Sequence, residues 1–419
     1  MNGGRSAFSA SVELHLKDNP HMTQNATPDS PLTVLLVDAH SRGGGQVRYV
    51  TVLAKHLKAL GHRPIIGCRE NSVLVDRAAD AGCGVANRFQ FLGGARLASW
   101  WKDIAAMRRL IREEQPDVIH VSGSQDHWVS AVANWTLGQP VAIARTRHNT
   151  YHVHDGLSNR ILNRRWTDYQ IVLGEIMRAR LAAQKAFVPA HMGVVRNGVD
   201  AELFQPDPEA RQSARAEFGY EDHHVVVGIA ARLVKAKGHE FLIRALGQLR
   251  DDVPQLRLLA LGEGGLREDL QRLAGECGVA DRVLFTGFRD DMPRCIQAMD
   301  IATLPSIECD LSSFVVKEKM AAGKPLVVSD HGGLPEDVDH GIEGYVVPAG
   351  TVEPLAEALR TLAEDPSKRE AMGQAGRERA LQRYTMERYV RETVEAYREA
   401  MRIRQQQRES SNTAQETAS

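Results

Sequence analysis

Three loops place chemistry-bearing residues where a strand should give way to a helix. The first is Ser41-Arg42-Gly43-Gly44-Gly45. Gly43 and Gly44 would let backbone N–H groups approach an anion at a helix start, although a tight strand-to-helix turn needs the same glycines. The spacing is not G-x-G-x-x-G, so a dinucleotide fingerprint is not met. The second loop is Arg232-Leu233-Val234-Lys235-Ala236-Lys237-Gly238. Arg232 and Lys237 bring two cations to a helix N-terminus, which suits a diphosphate as well as a solvated basic loop. The third runs from Pro305 to Pro325. There Glu308 and Asp310 lead into a helix that should begin near Ser313, with Glu318 about a turn and a half inside it. Such carboxylates can accept hydrogen bonds from sugar hydroxyls, and the free N–H groups of Ser313, Phe314 and Val315 can hold phosphate oxygens. The plainer role for Asp310 is that of a helix cap.

Two more strand ends carry histidines. His148 stands in Arg145-Thr146-Arg147-His148-Asn149, after a strand predicted at 141–144. Arg145 and Arg147 would then sit in a loop, where they suit an anionic acceptor or simple solvation. His120 and the run Asp126-His127-Trp128 end and follow another strand, which places His120 and His127 toward an acceptor side. No Asp-x-Asp pair follows a strand in a metal-binding setting. Cys68, Cys83, Cys277, Cys295 and Cys309 form no C-x-x-C pair, so neither a zinc site nor a disulfide framework is expected, and a reducing compartment fits.

The elements that must hold these loops alternate. Apolar runs at 33–37, 63–66, 117–121, 141–144 and 170–173 read as strands, with helical spacing at 46–60, 99–114, 126–137 and 176–185 between them. Asn197-Gly198 gives turn chemistry at 196–200, and Pro206 and Pro208 follow. The alternation then restarts, with strands at 225–230, 256–261, 283–286, 301–304, 325–328 and 345–347. Two α/β domains follow, each doubly wound around a parallel sheet, and in such sheets ligands sit beyond the carboxyl ends of the strands. The boundaries expected are a flexible segment 1–31, a Rossmann-like domain 32–196, a second one 197–385, a helix 386–404 returning to the first domain, and a disordered tail 405–419. Met22 is an alternative start.

The 419 residues and net charge of -1 fit two such domains. A mean hydropathy of -0.32, with no apolar run near ~20 residues, excludes an integral membrane protein. A pI of about 7.0 disfavours a nucleic-acid binder. The charge is unevenly divided: residues 1–200 carry +8 and residues 201–419 carry -9. All five tryptophans lie in the basic half, so the two halves either attract each other or meet different partners. Trp100, Trp101, Lys102, Arg108 and Arg109 share a basic predicted helix that suits an anionic membrane surface, and Arg160, Arg164, Arg165 and Trp166 would extend it. The alternative is an amphipathic helix packed on the sheet.

Residues 33–400 resemble a retaining glycosyltransferase of family 4 (glycosyl transferases group 1). The matching phrases are Gly43-Gly44, Arg196-Asn197-Gly198-Val199-Asp200, Ala231-Arg232-Leu233 with Lys237-Gly238, and Leu261-Gly262-Glu263-Gly264. Val283-Leu284-Phe285-Thr286-Gly287-Phe288, the 305–325 segment and Asp330-His331-Gly332-Gly333-Leu334-Pro335-Glu336 complete the series. The resemblance implies a GT-B fold of two Rossmann-like domains facing a cleft. It also implies transfer of a sugar from a UDP- or GDP-sugar to a glycan or lipid-linked acceptor, as in cell-surface polysaccharide or lipopolysaccharide-type biosynthesis. Cofactors and metals are not implied, and the setting is cytoplasmic or peripheral on the inner face of the membrane. On the matching positions, Arg232 and Lys237 grip the donor diphosphate, Glu318 binds the ribose, and His148 lies near the donor sugar. Asp310, separated from Glu318 by seven intervening residues, stands where the family has a glutamate facing that sugar. Gly287 and Phe288 fall where the nucleobase is met. A nucleotide-sugar epimerase on the same fold, or a binding protein that has lost catalysis, is the alternative.

Overall fold

The computed structural model describes residues 30–92, 94, 97–148, 153–308 and 310–416, without the side chains of 411, 412 and 414–416. The flexible segment expected at 1–31 lies, but for its last two residues, outside the described residues.

The first half of the chain runs β1 (Thr33–Val37), α1 (Gly45–Ala59), β2 (Arg63–Arg69), α2 (Leu74–Asp80), β3 (Gly84–Phe89), α3 (Leu97–Glu114) and β4 (Val118–Val121). It continues α4 (Gln125–Trp135), β5 (Ala142–Arg147), α5 (Leu157–Arg164), β6 (Tyr169–Val172), α6 (Glu175–Ala182) and β7 (Met192–Val194). These strands form a parallel sheet in the order β3-β2-β1-β4-β5-β6-β7. Their near-continuous aliphatic runs fit, because helices cover both faces. Leu36, Val50, Leu53 and Leu57 fill the layer under α1, while Leu35, Ile104, Met107 and Ile119 fill the layer under α3.

The second half runs α7 (Pro208–Glu217), β8 (Val225–Ala230), α8 (His239–Gln248), β9 (Leu256–Leu261), α9 (Arg267–Glu276), β10 (Val283–Gly287), α10 (Met292–Gln297) and β11 (Ile301–Leu304). Then come α11 (Phe314–Ala321), β12 (Leu326–Ser329), α12 (Leu334–Asp337), β13 (Gly344–Val347), α13 (Glu353–Glu364), α14 (Pro366–Arg383) and α15 (Met386–Glu416). The second sheet is also parallel, ordered β10-β9-β8-β11-β12-β13. Both orders reverse direction next to the first strand of their half, at β1/β4 and at β8/β11, the positions where open α/β sheets hold ligands.

The chain passes between the sheets twice. Val199 N donates to Tyr384 O at 2.7 Å, so the outgoing segment at 197–199 and the return at 384–386 lie side by side. After that crossing α15 packs on α1, β5 and β6, and Tyr389, Val390, Val394 and Tyr397 join the first half's core. The helix does not stop at Arg404, and the tail expected to be disordered is helical as far as Glu416. Its composition misleads because extending an anchored helix needs no new nucleus, and Gln405 Nε2 bonds Glu409 Oε1 at 2.9 Å one turn on. Two other departures matter for the site. β5 runs to Arg147, three residues beyond the strand expected from the aliphatic run, and α7 occupies the segment after Pro208 that read as a pause.

Candidate functional site

The second sheet presents its loops first. The β8–α8 loop carries Arg232 and Lys237, and the β11–α11 loop carries Asp310. The two loops touch. Gly238 sits at φ 72°, and a Cβ there would lie 2.0 Å from Pro305 O, so no other residue lets the loops come this close. Lys237 Nζ consequently donates to both oxygens of Asp310, at 2.8 and 2.7 Å. A third loop closes from the far side: a Cβ at Gly332 or Gly333 would strike the carbonyl oxygen of Asp310 or Leu311. Arg232 is exposed at the lip, with no ion-pair partner among the described residues.

Helix α11 starts at Phe314, and its N-cap Ser313 makes no side-chain cap bond. The first-turn N–H groups at Phe314 and Val315 therefore have no intrahelical partner and face outward at the strand ends. Ser312 is otherwise engaged: its hydroxyl takes bonds from Lys317 Nζ at 3.0 Å and Asn197 N at 3.2 Å. Lys317 itself is fully buried against Asp337, 2.8 Å away. Glu318 is 1% exposed, and burial raises its pKa against the opposing pull of Arg48. One oxygen, Oε1, accepts from Arg48 of α1, across the cleft. The other, Oε2, is buried without a partner. Leaving a carboxylate oxygen so placed is costly unless a hydroxyl or water fills it. Gly287, at φ 81°, ends β10, and the next ring, Phe288, is 71% exposed beside the same sheet edge.

The first sheet supplies the opposite wall. Gly43 and Gly44 lie in the β1–α1 loop, and a Cβ at Gly44 would meet nothing within 4 Å, so the loop is open there. Four residues past Gly44, Arg48 reaches Glu318 and stands 5.2 Å over the ring of Phe314. His148 follows the last residue of β5, with its ring edge-on to Tyr49 at 4.6 Å. Burial pushes the imidazole down to about 3, and Nε2 has no partner. His148 is therefore neutral.

The other acceptor-side expectations are corrected. Because β5 extends to Arg147, both arginines lie within the strand and are buried. Arg145 Nη1 bonds His127 Nδ1, and Arg147 bonds Asn163 Oδ1 at 2.9 Å and covers the ring of Phe187 at 4.7 Å. Neither stands free on a loop for an anion. His127 is also held by Thr167 Oγ1 at 2.7 Å. His120 lies inside β4, between Tyr397 Oη at 2.6 Å and Thr146 Oγ1 at 2.8 Å. Both rings have both nitrogens occupied in the core, so they are framework. Arg48, Asp38 and Tyr49 were not singled out in the sequence. A cation one turn into the helix after the glycine loop was the available signal for Arg48.

A second bridge spans the halves. Glu336 accepts from Glu175 N and Ile176 N, both at 2.8 Å, and from Arg196 at 2.9 Å. Glu336, in α12, therefore caps α6 of the first half from the second. Among the described residues no group of three or more His, Cys, Asp or Glu is placed to hold a metal ion.

Two facing parallel sheets, with cations and an uncapped helix at a switch point, define a protein of the GT-B fold class. Family models agree: residues 43–203 match Glycosyltransferase Family 4 and residues 210–379 match Glycosyl transferases group 1. The chain is 34% identical over 295 residues to the GDP-mannose-dependent alpha-(1-6)-phosphatidylinositol monomannoside mannosyltransferase of Mycolicibacterium smegmatis, covering 66% of this chain and 74% of that one. A glycosyltransferase from Rickettsia africae superposes with a TM-score of 0.79 at 19% identity, over 88% of this chain and 99% of that one. Anabaena HepE, solved in complex with UDP, gives 0.76 at 23% identity, over 87% and 99%. The chain belongs to glycosyltransferase family 4 and is an enzyme of the hexosyltransferase type.

Proposed function

We propose that this enzyme transfers a hexose from a UDP- or GDP-sugar to a glycan or lipid-linked acceptor with retention of anomeric configuration. The observation that carries the reading is Glu318, buried one turn into α11 with Oε2 unpartnered, next to uncapped N–H groups and the Arg232–Lys237 loop. A ribose hydroxyl fills that oxygen, while the diphosphate takes the N–H groups, Arg232 and Lys237. Asp310, paired with Lys237 before substrate arrives, yields the ammonium to the phosphates and faces the sugar. Gly287 and Phe288 border the base, and Gly43 and Gly44 admit the phosphates from the opposite wall.

In the transfer, the bond from C1 to the diphosphate oxygen breaks and a bond from C1 to the acceptor oxygen forms on the same face. The acceptor's proton passes to the departing phosphate oxygen. Arg232, Lys237 and the helix N–H groups stabilise the charge that grows there. His148 is neutral and serves as a hydrogen-bonding partner for the sugar. No proton is assigned to it.

Membrane contact fits the same assignment. On α3, Leu97 and Trp101 are 73% and 66% exposed, beside Lys102, Arg108, Arg109 and Arg112. Trp101, the three arginines and Thr136 line a shallow groove of about 280 Å³. A basic face with an exposed indole suits anionic lipid, and no helix among the described residues is long and apolar enough to cross a membrane. Arg160 and Arg164, expected to widen the patch, are engaged with Asp155 and with the carbonyls of Lys185 and Phe187.

Incubation with a panel of UDP- and GDP-hexoses, followed by proton NMR, tests the chemistry. Release of UDP or GDP with the sugar first appearing in the donor's own anomeric form is expected. First appearance of the opposite anomer, or no release from any donor, contradicts it.

A further inference from the structure

The two walls of the cleft meet at one side chain. Arg48, one turn into α1, reaches across to α11 and bonds Oε1 of Glu318. Of this pair the arginine side chain is 38% exposed and the glutamate 1%, so the guanidinium stands on the cleft side of the carboxylate. Its other neighbour is the ring of Phe314, 5.2 Å away. Phe314 is the first residue of α11, so the guanidinium already stands at the turn whose free N–H groups suit phosphate oxygens.

A cation is poorly placed there. Both helices that meet here lack an acidic residue in the first turn and a side-chain cap, and a helix N-terminus repels positive charge. Arg232 is exposed at the same strand ends, and Lys237 is tied to Asp310. Among the described residues Glu318 is the one acid that pairs with Arg48. The pairing also restricts Glu318. A ribose offers two adjacent hydroxyls, and a carboxylate binds them best with one oxygen for each. Arg48 occupies Oε1, which leaves only Oε2 without a partner. Lys319, the other cation acting on Glu318, donates to Thr303 O at 2.8 Å and Gly228 O at 3.3 Å, and bonds neither carboxylate oxygen. Release of Arg48 frees both oxygens, and an anion at the start of α11 gives the guanidinium a new partner.

We infer that Arg48 is a donor-binding residue that changes partners. It exchanges Glu318, its partner in this structure, for the donor's diphosphate, and Glu318 passes to the ribose. The diphosphate is therefore what opens the ribose site, and a nucleoside without phosphates has to break the pair unaided. The exchange rests on the transferase reading above and adds a charged side chain of the first half to the donor site.

Ligand titration by NMR on the full chain tests the exchange. Whichever of UDP and GDP binds wild type is compared with its own nucleoside, uridine or guanosine. Both ligands are titrated into wild type and Arg48→Ala, each checked by thermal melting. Removing Arg48 is expected to strengthen nucleoside binding about threefold or more and to weaken diphosphate binding about threefold or more, so that the ratio of the two affinities falls about tenfold. Opposite shifts are the mark of the exchange, because a structural lesion moves both ligands the same way. In a Glu318→Gln background the gain for the nucleoside is expected to vanish while the loss for the diphosphate remains. If Arg48→Ala does not fold, Arg48→Gln is judged on the same terms. The exchange is overturned if both affinities move together, if either stays unchanged, or if the nucleoside gain persists with Glu318→Gln. In those cases the transferase reading stands, because wild type still binds the nucleotide. Binding of neither UDP nor GDP to wild type overturns both.

Discussion

At the scale of single residues, the Lys237–Asp310 pair sets what each partner does before substrate arrives. Both carboxylate oxygens engage Nζ, so a diphosphate must compete with Asp310 for the ammonium. Replacing Asp310 with asparagine removes the competitor and keeps the shape. UDP or GDP is then expected to bind the variant at least as tightly as wild type, while sugar transfer falls by about tenfold or more. Weaker nucleotide binding in calorimetry would place Asp310 on the nucleotide itself. His148 makes a second case. Its folded-state pKa is depressed to about 3 from 6.5, mainly by burial, so its neutral form is the folded one. The sign follows: the stability it contributes is complete above pH 6.5 and is lost as pH falls toward 3, because the unfolded chain takes up the proton first. The His148 ring resonances are expected to stay flat from pH 8 to 5, and a titration step near 6.5 would contradict its burial.

At the scale of elements, α15 belongs with the first sheet although it follows the second in sequence. Tyr397 brings this home: its hydroxyl meets His120 Nδ1 at 2.6 Å in the core. Tyr397→Phe leaves that nitrogen buried and unpaired, and is expected to lower unfolding stability by about 1–3 kcal/mol, read from denaturant titration. An unchanged midpoint would mean that water reaches His120. The same elements show what the sequence made legible. Aliphatic runs and glycine-bearing loops marked the parallel strands other than the edge strands β3 and β7, the crossing near Asn197 and the loops bearing Arg232, Lys237, Asp310 and Glu318. Strand ends were less legible. Ala142–Arg147 carries two arginines in its last three residues, which read as loop because burial of a guanidinium depends on partners far along the chain, here His127 and Asn163. Contacts across the cleft were not legible at all. Arg48 and Glu318 are 270 residues apart, and no local pattern announces their meeting. The glutamine-rich end of α15 misled for the opposite reason, since composition signals disorder while helix propagation from a packed segment costs little.

At the scale of the whole molecule, the +8 and -9 halves face each other across the cleft, joined by Arg48–Glu318 and by Glu336 on the N-terminus of α6. Those bridges use only part of the basic half's excess, and among the described residues Lys102, Arg108 and Arg112 on α3 form no ion pair. Flotation with vesicles containing anionic phospholipid is expected to carry the protein up at low salt. Release should follow as ionic strength rises, and Trp101→Ala combined with Arg108→Ala should weaken binding. Equal flotation with purely zwitterionic vesicles would contradict an electrostatic face. The central claim, though, is that the Arg232–Lys237 loop and the start of α11 hold a nucleoside diphosphate. Calorimetric titration of UDP and GDP into wild type and into Arg232→Ala/Lys237→Ala tests it most directly. One nucleotide is expected to bind wild type, and its affinity to fall by at least about tenfold in the double variant. Equal binding to both proteins, or no binding of either nucleotide to wild type, would contradict it.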